Sequence, residues 1–292
     1  MPVAAKWGPF NNYCFADYSA RGVYMQDVKF SVLMSVYARE KSQYLRECLA
    51  SMVDQICPPT EIVVVEDGPI SKELSDEIDV FREKLNIISV KLDANVGLSA
   101  ALNEGLKHCR YELVARMDTD DVSLPARFLR QIDYMQRFPQ VAVSSAWIEE
   151  RNQDMTLVRS IRRLPEHHSD IVSFAKRRSP VSHPAVMFRK SAVLAVGGYP
   201  SVFPEDYGLW SVMIVRGYEF ANIQEVLLLM RTGEDFITRR GINFLKGELK
   251  LLAFQRKIGF LTNSDYVMNY IIRCAVRLPP DSVKKALYKL AR

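Results

Sequence analysis

The chain contains no run of about 18 consecutive apolar residues, so no membrane-spanning helix is expected. Its first residues, MPVAAKWGPFNNYC, lack the unbroken apolar centre of a secretion signal, which predicts a cytoplasmic protein. Cysteine is scarce. Cys14, Cys48, Cys57, Cys109 and Cys274 are odd in number, widely spaced and form no Cys-x-x-Cys pair, so they read as reduced thiols and exclude both a disulfide framework and a zinc site. No G-x-G-x-x-G follows the first apolar run, and no Walker lysine loop occurs, which sets aside the usual dinucleotide folds and the P-loop enzymes. Internal repeats and low-complexity tracts are absent as well.

What is present suits a globular protein: 292 residues, 48% hydrophobic and 25% charged. The net charge of +5 is uneven. From Lys250 onward, nine Lys or Arg face two acids, Asp265 and Asp281, so this stretch carries +7 and the residues before it −2. A basic tail on a nearly neutral body points to a polyanionic partner, a membrane surface or a nucleic acid. The tail tyrosines Tyr266, Tyr270 and Tyr288 fall at core-like spacings rather than interleaved with cations on one face, so no nucleic-acid partner is expected.

Residues 1–28 carry six aromatics without a period and read as an irregular extension. A regular alternation then begins. FSVLMSVY (Phe30 to Tyr37), EIVVVE (Glu61 to Glu66), Ile87 to Leu92 and LVARM (Leu113 to Met117) are strand-length apolar runs. Between them lie helical patterns at Leu45, Cys48, Leu49 and Met52, at Leu74, Ile78, Phe81 and Leu85, and at Leu98, Ala101, Leu102, Gly105 and Leu106. A further helix with Phe128, Ile132 and Met135 leads to a fifth run, Val141 to Ile148. This alternation predicts parallel strands with right-handed crossovers, an open α/β sheet with helices on both faces. Ligands in such sheets bind beyond the carboxyl ends of the strands, where Tyr37, Asp67, Asn95 and the sequence DTDD all fall.

DTDD (Asp118 to Asp121) is the costliest feature of the chain. A buried strand delivers three carboxylates, Asp118, Asp120 and Asp121, to a sheet edge, where they repel one another unless a cation or several donors sit among them. Mg²⁺ or Mn²⁺ bridging to phosphate is one resolution; a solvated acidic turn before the helix at Leu124 and Pro125 is the other.

Beyond residue 150 the pattern loosens. Arg159, Arg162, Arg163, Lys176, Arg177 and Arg178 flank His167 and His168 in a basic segment that reads as mobile. A short strand near Pro184 to Phe188, the pair Gly197-Gly198 and the sequence PEDYGLW follow, in which Glu205 and Asp206 open a helix burying Leu209, Trp210, Met213 and Ile214. Glu225 to Arg231 reads as a strand and the remainder as helices, the last with Val283, Ala286, Leu287 and Leu290 on one face, fit either to lie on a membrane or to dock on the body.

SVYxxE (Ser35 to Glu40), EIVVVEDG (Glu61 to Gly68), NVGLSAALNEG (Asn95 to Gly105), ARMDTDD (Ala115 to Asp121), HPAVMFRK (His183 to Lys190), GGY (Gly197 to Tyr199) and EDYGLW (Glu205 to Trp210) stand in one order. Together they resemble the family 2 inverting glycosyltransferases of the GT-A fold, of the kind that builds bacterial O-antigen, capsule or exopolysaccharide. The resemblance implies a Rossmann-like GT-A sheet with a C-terminal helical extension: residues 1–28 as an N-terminal extension, 29–235 as the glycosyltransferase domain (29–150 the nucleotide-sugar half, 151–235 the acceptor half) and 236–292 as a basic helical extension. It implies transfer of one hexose or N-acetylhexosamine from a UDP-sugar to a sugar hydroxyl of a lipid-diphosphate-linked oligosaccharide, at the inner membrane surface reached through the basic C-terminal helices. By position, Tyr37, Glu40, Asp67, Asn95, Gly97 and Asp118 would bind the donor nucleotide. Asp120, with Asp118, would hold Mn²⁺ or Mg²⁺. Asp206, with Glu205 beside it, would be the catalytic base, and His183 and Asp121 would lie in the substrate site. A base at a helix start is expected to be kept ionised by the helix dipole.

Where the family commonly has two aspartates and a serine this chain has Glu66 to Pro69, and Val36 replaces a proline. The processive-synthase Gln-x-x-Arg-Trp is absent, which implies a single addition per acceptor. Two alternatives stand beside this reading. A sugar nucleotidyltransferase would need a glycine-rich loop after the first strand, and Tyr37 to Gln43 has no glycine. A non-catalytic module binding nucleotide-sugar or nucleic acid would use the same acids or the basic tail without chemistry.

Overall fold

The computed structural model describes residues 28–233 and 242–277. The extension at 1–27 and the terminal amphipathic pattern at 283–290 lie outside the described residues. Four parallel strands form one side of the sheet: β1 (Phe30–Val36), β2 (Glu61–Glu66), β3 (Ile87–Lys91) and β4 (Leu113–Arg116), with β1 between β2 and β4. The helices that cross between them are α1 (Ser42–Val53), α2 (Lys72–Phe81) and α3 (Leu98–His108). β1 and β2 are apolar on both faces because helices cover both.

The other side is less regular. After β5 (Val122–Ser123) and α4 (Arg127–Arg137) come β6 (Val141–Arg151), β7 (Val158–Arg162), α5 (His168–Ala175), a 3₁₀ turn at His183–Ala185, β8 (Met187–Arg189) and α6 (Lys190–Ala195). They are followed by α7 (Glu205–Val215), β9 (Glu219–Arg231), α8 (Ile242–Lys257) and α9 (Asn263–Arg277). Among the described residues the strand order is β3-β2-β1-β4-β8-β6-β9-β5, with β7 on the free stretch of β6. β8 runs antiparallel to both β4 and β6, so the sheet is mixed rather than wholly parallel. Periodicity shows that a strand exists and which faces it buries, but not its direction, and three residues are too few to reveal a crossover.

Two apolar layers flank the sheet. Phe30, Val32, Met34 and Val36 on alternate positions of β1 pack with α1, α2 and α4. Leu33 and the Val63 and Val65 side of β2 pack with α3, α5, α6 and α7, around Phe188, Trp210 and Phe220. A Cβ on Gly105 would come within 2.5 Å of Leu33 Cδ1 and Val65 Cγ2, so α3 approaches the sheet more closely than alanine would permit. The basic segment 159–178 carries regular structure, most of β7 and all of α5. Its cations mask the apolar positions: Ile171 and Ala175 are buried, while β7 sits half-exposed at the sheet margin. α8 packs on α7 and α5 through Leu252, Phe260 and Ala175, and Gln255 Nε2 donates to Ser211 Oγ at 2.8 Å.

Candidate active site

The parallel register sets the carboxyl ends of β1, β2 and β4 side by side, with Val36 opposite Glu66 and Leu33 opposite Arg116. Just past β2, Asp67 is buried and its carboxylate is saturated by one loop. Val96 N donates to Oδ1 at 2.7 Å, and Gly97 N and Asn95 Nδ2 donate to Oδ2 at 3.1 and 3.0 Å. These three expected nucleotide contacts therefore form a mutually satisfied unit. Gly68 makes the unit possible: its φ is +82°, and a Cβ there would lie 2.6 Å from Asn95 N. Tyr37, 41% exposed, stands at the mouth beyond β1.

The DTDD turn is tied to the first strand's loop by Thr119 Oγ1 donating to Glu40 Oε2 at 2.5 Å. Its acids crowd. Burial, then the charges of Asp118 and Glu40, push Asp120 up to about 7. Asp121 is 1% exposed and shifted upward by burial and by both neighbouring aspartates. It accepts the Arg231 amide on Oδ1 at 2.8 Å, while its Oδ2 is buried with no hydrogen-bond partner. Arg231 closes the turn from behind: Nε donates to the Asp120 carbonyl at 2.9 Å, Nη2 meets Glu47 Oε2 at 2.6 Å, and the guanidinium lies 3.9 Å from the Tyr44 ring centroid.

Sequence reasoning missed Arg231 and also Arg116. Arg116, the last residue of β4, is buried and pairs with Asp118. Its positive charge also opposes the upward shifts of Asp120, Asp121, Glu205 and Asp206, so one buried guanidinium faces the strand-end acids and the acids of α7 together. The signal was available: an arginine inside the apolar run LVARM has no structural reason to be there unless buried acids await it.

Glu205 and Asp206 occupy the first turn of α7. Burial, then Asp206, pushes Glu205 up to about 7. Asp206 is raised by burial, although the Tyr207 amide, Arg116 and Arg162 favour its charge, and Ser179 Oγ lies 3.5 Å from its Oδ2. At this helix start, desolvation outweighs the groups that favour the charged form, so the shift is upward. A raised pKa makes the carboxylate a stronger base. His183 does not open into the site. It is 9% exposed, its Nε2 is 3.0 Å from Tyr199 Oη, its ring meets Trp210 edge-on, and burial and Arg116 disfavour its protonation. The GGY turn that carries Tyr199 is itself held by α3: Asn103 exchanges two hydrogen bonds of 2.8 Å with the Tyr199 backbone.

Among the described residues no set of three or more His, Cys, Asp or Glu side chains forms a metal cage. One or two aspartates of the turn, with phosphate oxygens completing the shell, suit Mg²⁺ or Mn²⁺, and the unpartnered Oδ2 of Asp121 and the raised Asp120 are the chemistry such an ion would relieve.

Residues 31–197 match the family model described as Glycosyl transferase family 2. The chain is 38% identical over 268 residues to the amylovoran biosynthesis glycosyltransferase AmsE of Erwinia amylovora, covering 90% of this chain and 99% of that protein. It is 37% identical over 263 residues to the UDP-Gal:alpha-D-GlcNAc-diphosphoundecaprenol beta-1,3-galactosyltransferase of Escherichia coli, covering 89% and 95%. Among solved structures, S. aureus TarS 1-349 in complex with UDP-GlcNAc superposes with a TM-score of 0.60 at 19% identity, over 78% of this chain and 66% of that one. The mannosyltransferase PcManGT from Pyrobaculum calidifontis, in complex with GDP-Man and Mn2+, superposes with a TM-score of 0.60 at 16% identity, over 90% and 79%. At those identities the structural likeness speaks for the fold.

Proposed function

The chain belongs to glycosyltransferase family 2, and from that premise we propose that it moves one hexose or N-acetylhexosamine from a UDP-sugar to a sugar hydroxyl of a lipid-diphosphate-linked saccharide, with inversion, in the building of a surface polysaccharide. Family membership removes the nucleotidyltransferase and the non-catalytic module as alternatives. The UDP-sugar and the lipid diphosphate are carried by the likeness to the E. coli galactosyltransferase, whose name specifies both. The observation that supports the assignment most is the position of Arg116, whose charge acts on Asp118 and Asp120 on one side and Asp206 on the other.

In this reading residues 29–150 form the donor half of the domain and 151–235 the acceptor half, with 236–292 as a C-terminal extension whose described part is α8 and α9. Tyr37 and Glu40 border the nucleoside, and Asp67 holds Asn95 and Gly97 in the loop that flanks it. Asp118 and Asp120 hold a divalent cation, which when bound neutralises charge gathering on the departing diphosphate. Asp206 takes the proton from the acceptor hydroxyl as that oxygen attacks the anomeric carbon from the face opposite the leaving group. Glu205, raised in part by the charge of Asp206, is the neighbouring acid and the alternative base. Asp121 holds the turn, and His183 supports Tyr199 beneath the site.

Calorimetric titration of UDP with and without Mn²⁺, on the wild type and on Asp120→Asn, tests the donor side. Metal-dependent binding that the substitution abolishes is the expected result; metal-independent binding would overturn the cation assignment. Asp206→Asn is expected to lower kcat about 10²- to 10⁴-fold with UDP-sugar affinity retained.

A further inference from the structure

α9 is turned inside out for a helix in water. Its polar residues point into the body: Asn269 Nδ2 donates to the Lys176 carbonyl at 2.9 Å, Arg273 Nη2 to the Arg177 carbonyl at 2.9 Å, and Arg277 Nε meets the buried Glu248 at 2.9 Å. Its outward arc is apolar. Val267 is 54% exposed, Met268 60% and Ile271 61%, with Ile272 and Ala275 exposed beside them. Spacings of one, three and four residues put these side chains on one contiguous face, the reverse of the pattern a solvated surface helix shows.

Cations stand beside the first turn of α9. The hydrogen bonds from Asn269 and Arg273 take up the backbone carbonyls of Lys176 and Arg177, leaving the Arg177 and Arg178 side chains at the surface, where neither makes an ion pair among the described residues. With Lys176, Ser173, Phe174 and Asp265 they line an open cavity of ≈ 610 Å³. Asp265 and Met268 stand three residues apart on α9, so the cavity that Asp265 lines meets the edge of the apolar arc.

We propose that the outward face of α9 docks on an anionic phospholipid bilayer, with Val267, Met268 and Ile271 entering the acyl boundary and Arg177 and Arg178 at the level of the lipid phosphates. An apolar helix face edged by cations is the arrangement that binds the interface of an anionic leaflet. Ser179, whose Oγ lies 3.5 Å from Asp206 Oδ2, directly follows Arg178, so the segment at the docking face continues to α7. The proposal rests on the lipid-linked acceptor of the reading above and names the surface that would bring the enzyme to it.

The test is co-sedimentation of the full chain with vesicles of phosphatidylglycerol in phosphatidylcholine and of phosphatidylcholine alone, with neither donor nor acceptor present, so that its outcome is independent of glycosyl transfer. The wild type should bind the anionic vesicles preferentially. Met268→Asp with Ile271→Asp, and separately Arg177→Glu with Arg178→Glu, should each lower partitioning about tenfold or more, with far-UV circular dichroism unchanged. Equal binding to both vesicle types would overturn the proposal. So would wild-type binding by both double variants, or loss of binding confined to Val283→Asp with Leu287→Asp, which would assign docking to the terminal segment. Conversion of a dimer to a monomer by Met268→Asp with Ile271→Asp, with vesicle binding unchanged, would give the face to a second copy of the chain instead.

Discussion

Asp121 and Arg231 are 110 positions apart, yet the Arg231 amide donates to Asp121 Oδ1 at 2.8 Å. The end of β9 thus fixes the turn that carries the acidic cluster, and the guanidinium of the same residue holds the Asp120 carbonyl and Glu47. An acidic turn left to itself would relax away from mutual repulsion. Here its geometry is imposed by a residue far along the chain.

Arg231→Met removes the guanidinium while keeping the backbone bond. Leaving Glu47 without its partner in a largely buried setting should cost about 3 kcal/mol. Urea denaturation measures this directly, and Mn²⁺-dependent UDP affinity should fall with it. A stability change within about 0.5 kcal/mol would show that the clamp is idle.

Arg116→Met should be costlier at alkaline than at acid pH. The arginine offsets several buried carboxylates, and the loss matters most when they are ionised. Denaturant unfolding at pH 8 is expected to show a loss of about 3–5 kcal/mol, shrinking toward pH 5 as Asp120 and Glu205 take up protons. A pH-independent cost would mean that packing alone is lost.

Glu205 gives a signed dependence of stability on pH. Its folded pKa is raised from 4.5 to about 7, so the folded state binds the proton more tightly than the unfolded chain does. The resulting stabilisation is complete below the unfolded value and disappears as pH rises through about 7. Glu205→Gln should remove this component, flattening the fall in Tm between pH 5 and pH 8, a span worth about 2–3 kcal/mol.

Gly68→Ala places a Cβ where Asn95 N stands, at a backbone angle that alanine avoids. The loop that satisfies Asp67 has to move. The expected result is a loss of about 2 kcal/mol or more, with weakened UDP binding, read by thermal melts and titration on the same sample.

The sequence made the left side of the sheet legible because there each element is announced by its own period: fully apolar runs for β1 and β2, and Leu45, Cys48, Leu49 and Met52 for α1. The acids were legible for a related reason, since Asp118, Asp120, Glu205 and Asp206 sit where an apolar element begins or ends and carry a cost that demands an explanation. What could not be read depends on distant partners. Arg116 and Arg231 acquire meaning only when β4, α7 and β9 converge, and the cations of 159–178 concealed β7 and α5. His183, expected in the substrate site, is buried against Tyr199 and Trp210, a packing that its motif does not announce.

β8 lies between β4 and β6 in space but follows both in the chain. During synthesis, therefore, a nascent chain that has emerged only as far as β7 carries two strands whose facing edges have no neighbour. Unpaired edges of this kind recruit other strands, and multi-element chains are most prone to aggregation at that stage. The three residues Met187–Arg189 act as a late keystone, closing the gap between β4 and β6.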